Sequence, residues 1–483
     1  MNDSSGSSSD WAEQPGLVVM KFGGTSVEDA YAIRRLVRIV RSRLNFRVVV
    51  VVSALAKVTD ELLRLGHAAE TREGFETAVT ELQQRHERVA SDLVPCGEGA
   101  LLRFEIASEF AQLRSLLAEI TSAGHLSAQM EDRLLGLGEC LSSRLVTAAL
   151  RHQGVGADLI DSRSCFVTDD RHTQASPLWS ETNHRLRQAL HPVLNQRRVP
   201  VLGGFLGATK VGVPTTLGRG GSDLSATIVG AALRACRVEI WTDVDGVMSA
   251  DPNLCPDARL IPRMSFDEAG EMAHFGAKVL HPATLVPAAK ENIPVYVLNS
   301  RNPDIEGTEI VANCNGGTSV RAVTAKRSIA AVEIASASNT DSDFLEDICT
   351  ALDRHHCRVE MMSCSHGKVS LLVSSTDTLA GVAAELQNRA SVRWENHKAL
   401  ICLIGENIRR KPEIASRVFA AVSDIDVRVV CQSASDRTIS FLVDESRAVE
   451  AVQRLHGLFF PSRKQPVSVP TSHSLCQAGE AWL

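Results

Sequence analysis

The chain has 483 residues and a mass of 52.2 kDa, with 44% apolar and 22% charged residues. That composition is ordinary for a folded protein and excludes disorder throughout; at roughly 100–200 residues per domain it predicts about three domains. The net charge of −6, from 51 basic and 57 acidic residues, argues against a nucleic-acid-binding surface, and no apolar run approaches the about 18 residues of a membrane span.

Residues 1–15 are rich in Ser, Asp and Gly and predict a disordered leader, without the basic start and apolar core of a secretory signal. From Leu17 to Lys21 an apolar run predicts a strand. After Gly23 and Gly24 comes a helix with Ile33, Leu36, Val37 and Val40 on one stripe. Ser26 and Asp29, three residues apart, predict a capping box at its start. The run RVVVVVS (Arg47–Ser53) predicts a strand covered on both faces, which completes a βαβ unit. Residues 60–150 read as helical. Strand-like runs return at Ala157–Leu159, Val199–Leu202 and Val238–Thr242, with a helix over Asp223–Arg234. An α/β domain with a mostly parallel sheet sandwiched by helices is therefore predicted for residues 16–312.

The remainder contains an internal repeat. RVEMMSCSHGKVSLLV (Arg358–Val373) and RVVCQSASDRTISFLV (Arg428–Val443) share seven identities in sixteen positions. Each follows an amphipathic segment (Asp343–Arg354; Glu413–Ser423) and precedes another, which predicts two ferredoxin-like βαββαβ modules over residues 313–460. Residues 461–483 read as a loose tail. Twelve cysteines between Cys96 and Cys476 include no CxxC pair, so free thiols in a reducing cytoplasm are expected, rather than a metal cluster or disulfide framework.

Four stretches carry possible chemistry. In Lys21-Phe22-Gly23-Gly24-Thr25-Ser26 a lysine ends a strand at the sheet edge where α/β proteins bind ligands. The glycines and the following helix N-terminus offer bare amides to a phosphate. In Thr216-Leu217-Gly218-Arg219-Gly220-Gly221-Ser222-Asp223 glycines again precede a helix, and Arg219 offers a fork to a carboxylate. Trp241-Thr242-Asp243-Val244-Asp245-Gly246-Val247-Met248 ends a strand in a polar loop on the same edge. Phe275-Gly276-Ala277-Lys278-Val279-Leu280-His281-Pro282 sets Lys278 in apolar surroundings, and His281 reads as structural. Taken singly, each also fits a tight turn, a helix cap or a buried structural lysine. Neither a P-loop nor a dinucleotide fingerprint is present: Gly136-Leu137-Gly138 is followed by Leu141, and Gly218-Arg219-Gly220 by Asp223, where a third glycine is needed. Together, two lysines, an arginine, two glycine loops and an aspartate on one sheet edge suggest phosphoryl transfer.

KFGGTSV at Lys21, VVVSALAKVTDEL at Val50, TTLGRGGSD at Thr215, WTDVDGV at Trp241 and FGAKVLHPAT at Phe275 resemble, in order, the aspartokinase branch of the amino acid kinase family. The doubled C-terminal module resembles that family's paired ACT domains. The resemblance spans roughly residues 17–460. It implies phosphorylation of the β-carboxylate of L-aspartate by ATP with Mg2+, opening lysine, threonine and methionine biosynthesis. By that resemblance Lys21, Asp223 and Lys278 are catalytic, and Thr59, Glu139, Arg219 and Ser222 bind aspartate. Lys21, Gly23, Gly24, Ser53, Thr242, Asp243, Met248 and Lys278 hold the nucleotide, and no residue is assigned to a metal. Asp343, Phe344, Leu345, Glu360 and Ser365 are implied to form an amino-acid effector site. A cytoplasmic homodimer joined through the ACT domains, without nucleic-acid or membrane partners, is implied as well. Three departures from the family pattern stand out: Asn253 replaces an arginine, with Arg259 a candidate substitute; Met248 replaces a tyrosine; and Asp343 replaces a glycine. The rival readings are a related kinase acting on glutamate or acetylglutamate and a catalytically dead ACT sensor.

Overall fold

The computed structural model describes residues 16–95, 97, 99–276, 280–314, 320–336, 343–365, 367–374, 376–432 and 435–461. The first eleven strands are β1 (Leu17–Phe22), β2 (Arg47–Val52), β3 (Ala157–Ile160), β4 (Val167–Thr168), β5 (Val199–Gly203), β6 (Leu206–Thr209), β7 (Pro214–Thr216), β8 (Arg237–Thr242), β9 (Arg263–Ser265), β10 (Val295–Asn299) and β11 (Thr308–Val311). Eight of them form one sheet in the order β3-β5-β2-β1-β8-β10-β11-β9, parallel except between β10 and β11, and β4, β6 and β7 form a small second sheet. Sidedness follows from strand alternation. Val18, Met20, Phe22, Val48, Val50 and Val52 face a core shared with the helices of residues 58–152, while Leu17, Val19, Val49 and Val51 face a second core under the helices Trp179–Asn195, Gly221–Leu233 and Pro282–Lys290. Burial on both faces is what the unbroken valine run of β2 requires.

Ser26 does not form the expected capping box. The helix Ala30–Arg41 is capped by Asp29, whose side chain accepts from the Ala32 amide at 2.8 Å. Ser26 ends a short 3-10 turn and donates to Ser300 Oγ at 2.8 Å, tying the glycine loop to the end of β10. Gly136 and Gly138 serve packing: a side chain at Gly138 would strike Ala54, as close as 2.6 Å, so this glycine lets the helix Leu137–His152 seat against the loop after β2.

The last six strands are β12 (Val320–Ser336), β13 (Val359–Ser365), β14 (Lys368–Val373), β15 (Ala390–Gly405), β16 (Val430–Gln432) and β17 (Thr438–Asp444), in the order β13-β14-β12-β15-β17-β16. The two repeat copies are the hairpins β13–β14 and β16–β17. The modules are nested. β12 is bent near Ser328 (φ 58°). Its second half pairs with β14 and the first half of β15, enclosing the core of Val332, Ile334, Ile348, Leu371 and Leu379. Its first half pairs with the second half of β15, and Val320 and Val323 enter the other core, with Leu403, Val418, Phe441 and Leu455. The second module therefore takes its last strand from residues preceding the first module. No helix among the described residues is long and apolar enough to cross a membrane.

Candidate active site

Two cavities, of about 510 and 540 Å3, open at the carboxyl ends of the central parallel strands, a size range suited to small-molecule ligands. The first is lined by Lys21, Gly24, the loop Ser53–Lys57, Thr59, Glu131, Glu139, Thr173, Phe205, Thr216 and Gly218–Asp223. The second is lined by Thr242–Met248, Ala250–Asn253, Met272, Gly276, Asn299, Thr324 and Ala325. They adjoin, because β1 and β8 are paired and the Gly23 amide donates to the Trp241 carbonyl at 3.0 Å.

Lys21 sits at the wall of the first cavity, 8% exposed, with its Nζ 2.5 Å from Asp223 Oδ1. Asp223 belongs to the first turn of the helix Gly221–Leu233. The turn entering that helix takes glycine's freedom literally: Gly220 has φ 75°, and a Cβ there would meet His281 Cβ at 2.9 Å. His281 is structural, as expected from the sequence: its Nδ1 caps the helix Pro282–Lys290 at the Ala283 amide. Burial, with Arg358 and Arg219 nearby, lowers its pKa and keeps the ring in the accepting form.

Glu139 is 3% exposed on the helix Leu137–His152. Oε1 accepts from the Ala54 amide at 3.1 Å, while buried Oε2 has no hydrogen-bond partner. Burial pushes its pKa up to about 8, against the pull of the Ala54 amide and of Lys21. A buried carboxyl with one oxygen unpartnered at a cavity wall leaves hydrogen-bonding capacity unused. Arg219 stands exposed on the same cavity.

Of the residues implied for aspartate and catalysis, the first cavity gathers Lys21, Thr59, Glu139, Arg219, Ser222 and Asp223, together with Gly24 and Ser53. The second gathers Thr242, Asp243 and Met248, while Gly23 joins the two strands between them. Ser53, expected with the nucleotide, thus borders the first cavity. Lys278 lies outside the described residues. Arg259 does not replace the missing arginine at Asn253, because its guanidinium donates to the carbonyls of Phe460 and Pro461. Asn253 instead closes a turn on Asp251 Oδ1 at 3.0 Å.

Of the residues implied for the effector, Asp343, Phe344 and Leu345 are consecutive at the start of one helix, and Glu360 and Ser365 lie on β13. Asp343 opens the helix Asp343–Arg354, its side chain lying outside what the structure describes. Phe344 packs on the first module's core, and Leu345 is exposed. Glu360 and Ser365 lie five residues apart along β13, about 17 Å at strand rise. Glu360 is buried against Lys326 Nζ at 2.6 Å; burial raises its pKa, but Lys326 outweighs that and the net shift is downward.

Sequence reasoning passed over Lys57, Glu131, Thr173 and Phe205. Lys57, Thr173 and Phe205 have positive φ, a conformation that none of these residue types signals in a sequence. Thr173 is held by Asp132, which accepts from its amide at 3.0 Å, from His172 Nδ1 at 2.6 Å and from Thr216 Oγ1 at 2.5 Å.

Among the described residues no three His, Cys, Asp or Glu side chains converge as a metal cage. Mg2+ generally takes one or two carboxylates and completes its shell with substrate phosphates and water. Asp243, Asp245 and Asp251 on the second cavity provide such carboxylates, and Asp245 Oδ1 also accepts from Asn299 Nδ2 at 2.6 Å. That donor set fits a cation carried in with the nucleotide.

A mostly parallel sheet with a lysine–aspartate pair and two glycine-framed cavities on its carboxyl edge defines an α/β phosphotransferase of small metabolites. Residues 16–299 match the Amino acid kinase family and residues 401–459 an ACT domain. The lysine-sensitive aspartokinase 3 of Escherichia coli (strain K12) is 34% identical over 461 residues, covering 92% of this chain and 99% of that protein. The chloroplastic aspartokinase 2 of Arabidopsis thaliana is 33% identical, covering 92% and 84%. The chain belongs to the aspartokinases of the amino acid kinase family. The E. coli aspartokinase III structure with aspartate and ADP, in the R-state, superposes with a TM-score of 0.83, covering 92% of this chain and all of that one. The same enzyme with lysine and aspartate, in the T-state, gives 0.78.

Proposed function

We propose that the protein is an aspartate kinase, transferring the γ-phosphoryl of ATP to the β-carboxylate of L-aspartate to give 4-phospho-L-aspartate and ADP. The observation that carries the acceptor is that Glu139, with Oε2 unpartnered, lines the same cavity as Arg219. A free amino acid supplies the ammonium that Glu139 lacks and the carboxylate that Arg219 fits. Acetylglutamate, whose nitrogen is an uncharged amide, brings no positive charge to Glu139. The nucleotide is assigned to the second cavity, with Gly23 and Lys21 on the side of its phosphates, and Asp243, Asp245 and Asp251 would hold a Mg2+ that neutralises phosphate charge.

In this reading Lys21 stabilises charge on the transferring oxygens, and Asp223 holds the lysine in place. Thr59 and Ser222 position the acceptor so that its β-carboxylate oxygen attacks phosphorus as the bond to the β-phosphate oxygen breaks. Two oriented substrates need no covalent enzyme intermediate. Lys278 is assigned to the same oxygens by family resemblance.

The ACT pair is proposed to bind an amino-acid effector and the chain to form a homodimer through it. β13, an edge strand with Met362 and Cys364 exposed, is the proposed contact. The cytoplasm is the compartment its free thiols suit. Trapping aspartyl phosphate as the hydroxamate tests the activity. ATP-dependent product from aspartate is expected, and its absence overturns the reading. Repeating the assay with lysine, threonine and methionine identifies the effector, and a rate unmoved by all three overturns the regulatory part.

A further inference from the structure

Lys57 occupies a conformation that suits glycine, on the wall of the acceptor cavity. Its φ is 68° and ψ 0°, and it caps the helix Val58–Glu70 without using its side chain. The left-handed region is unfavourable for a side chain with a Cβ, and such residues persist only where their surroundings fix them. The surroundings here do so. The Ala56 amide donates to the Gly24 carbonyl at 3.1 Å, Arg85 Nη1 donates to the Ala56 carbonyl at 3.0 Å, and the Glu61 amide donates to the Lys57 carbonyl at 3.1 Å. The loop is therefore clamped onto the glycine turn that follows Lys21. The side chain itself is exposed, lines the first cavity and has no ion pair among the described residues. A strained backbone that presents an unpaired cation to a ligand cavity, where glycine would relieve the strain, is a functional arrangement.

We infer that Lys57 is an anion-binding residue of the acceptor site, offering its ammonium to the negative oxygens of the bound substrates. The inference rests on the first cavity being the acceptor site. Two sources supply such oxygens there: a carboxylate of the amino acid and the phosphoryl group in transfer.

The test is Lys57→Gly with Lys57→Arg as control. Glycine matches φ 68°, so the variant is expected to keep or raise the melting temperature, which separates lost binding from lost fold. A fall of roughly ten- to a hundredfold in kcat/KM for aspartate is expected, the range for a charge-assisted hydrogen bond. Arg is expected to retain most of the wild-type value. A loss confined to KM for aspartate assigns the carboxylate, and a loss in kcat assigns the phosphoryl group. Calorimetric titration of L-aspartate into the nucleotide-free protein separates this inference from the proposed function. A wild type that binds aspartate but makes no acyl phosphate defeats the function, and a weaker Lys57→Gly titration still supports Lys57. If Lys57→Gly matches the wild type in both kcat/KM and aspartate affinity, Lys57 has no such role.

Discussion

At the scale of single residues, the site works by holding charges where water would otherwise dissipate them. Lys21 is nearly buried and braced by Asp223. Lys21→Ala is expected to lower turnover by about 10²–10³, or ~2.7–4 kcal/mol, the cost typical of deleting one preorganised donor to a developing charge. A steady-state assay retaining near-full turnover would remove Lys21 from the mechanism. Glu139 makes a different prediction. With its pKa raised to about 8, it is mostly protonated in the free protein at pH 7. An arriving ammonium favours the carboxylate, so binding releases a proton and aspartate affinity rises with pH up to about 8. Calorimetry in buffers of different ionisation enthalpy should show up to one proton released, and Glu139→Gln should abolish it. Equal release from both proteins would place the proton elsewhere. The linkage to folding has the opposite sign. The folded state binds the proton more tightly than the unfolded one, so this group's stabilising contribution is lost as pH rises from about 4.5 through 8.

At the scale of elements, the helical middle shows how packing decides ionisation far from the site. His86, on the helix Glu76–Leu93, is fully buried edge-on to Phe110, with Nδ1 2.8 Å from the Leu82 carbonyl and Nε2 unpartnered. Burial lowers its pKa to about 4. Between about pH 6.5 and 4 the unfolded chain binds this proton and the folded one does not, so stability falls as pH drops through that window. The shift from 6.5 to about 4 sets an upper bound on the order of 3 kcal/mol. His86→Leu should flatten the melting temperature between pH 7 and 5 relative to wild type; parallel curves for both proteins would contradict the assignment. The same scale explains what sequence reading missed. The βαβ unit, the valine strand and the repeat hairpins were legible because each is a local pattern of apolar spacing. The capping box was not: Ser26 and Asp29 both suit a cap, and only the presence of Ser300 across the sheet decides that Ser26 turns away.

At the scale of the whole molecule, the nested modules make β12 the shared spine of the regulatory region. A fragment of residues 313–461 contains every strand of both modules, whereas residues 337–461 lack the strand that joins them. The longer fragment is expected to unfold cooperatively in a circular dichroism melt and the shorter to show no transition; two equal transitions would mean that the second half of each module suffices. The sequence by itself determined the fold class, the doubled module and which glycine-rich and charged stretches reach the carboxyl edge of the sheet. Buried strands, glycine turns and their flanking charges are written in short stretches of chain. Only the tertiary structure decided that Glu139, on a helix far along the chain, is buried with one oxygen unpartnered at the cavity Arg219 lines, that Arg259 is turned to the C-terminal carbonyls, that Glu360 is engaged by Lys326, and that Lys57 adopts a glycine-like backbone. The physical reason is common to all four. Each depends on which distant atoms compete for a side chain or clamp a peptide, and that competition exists only once the chain has closed on itself.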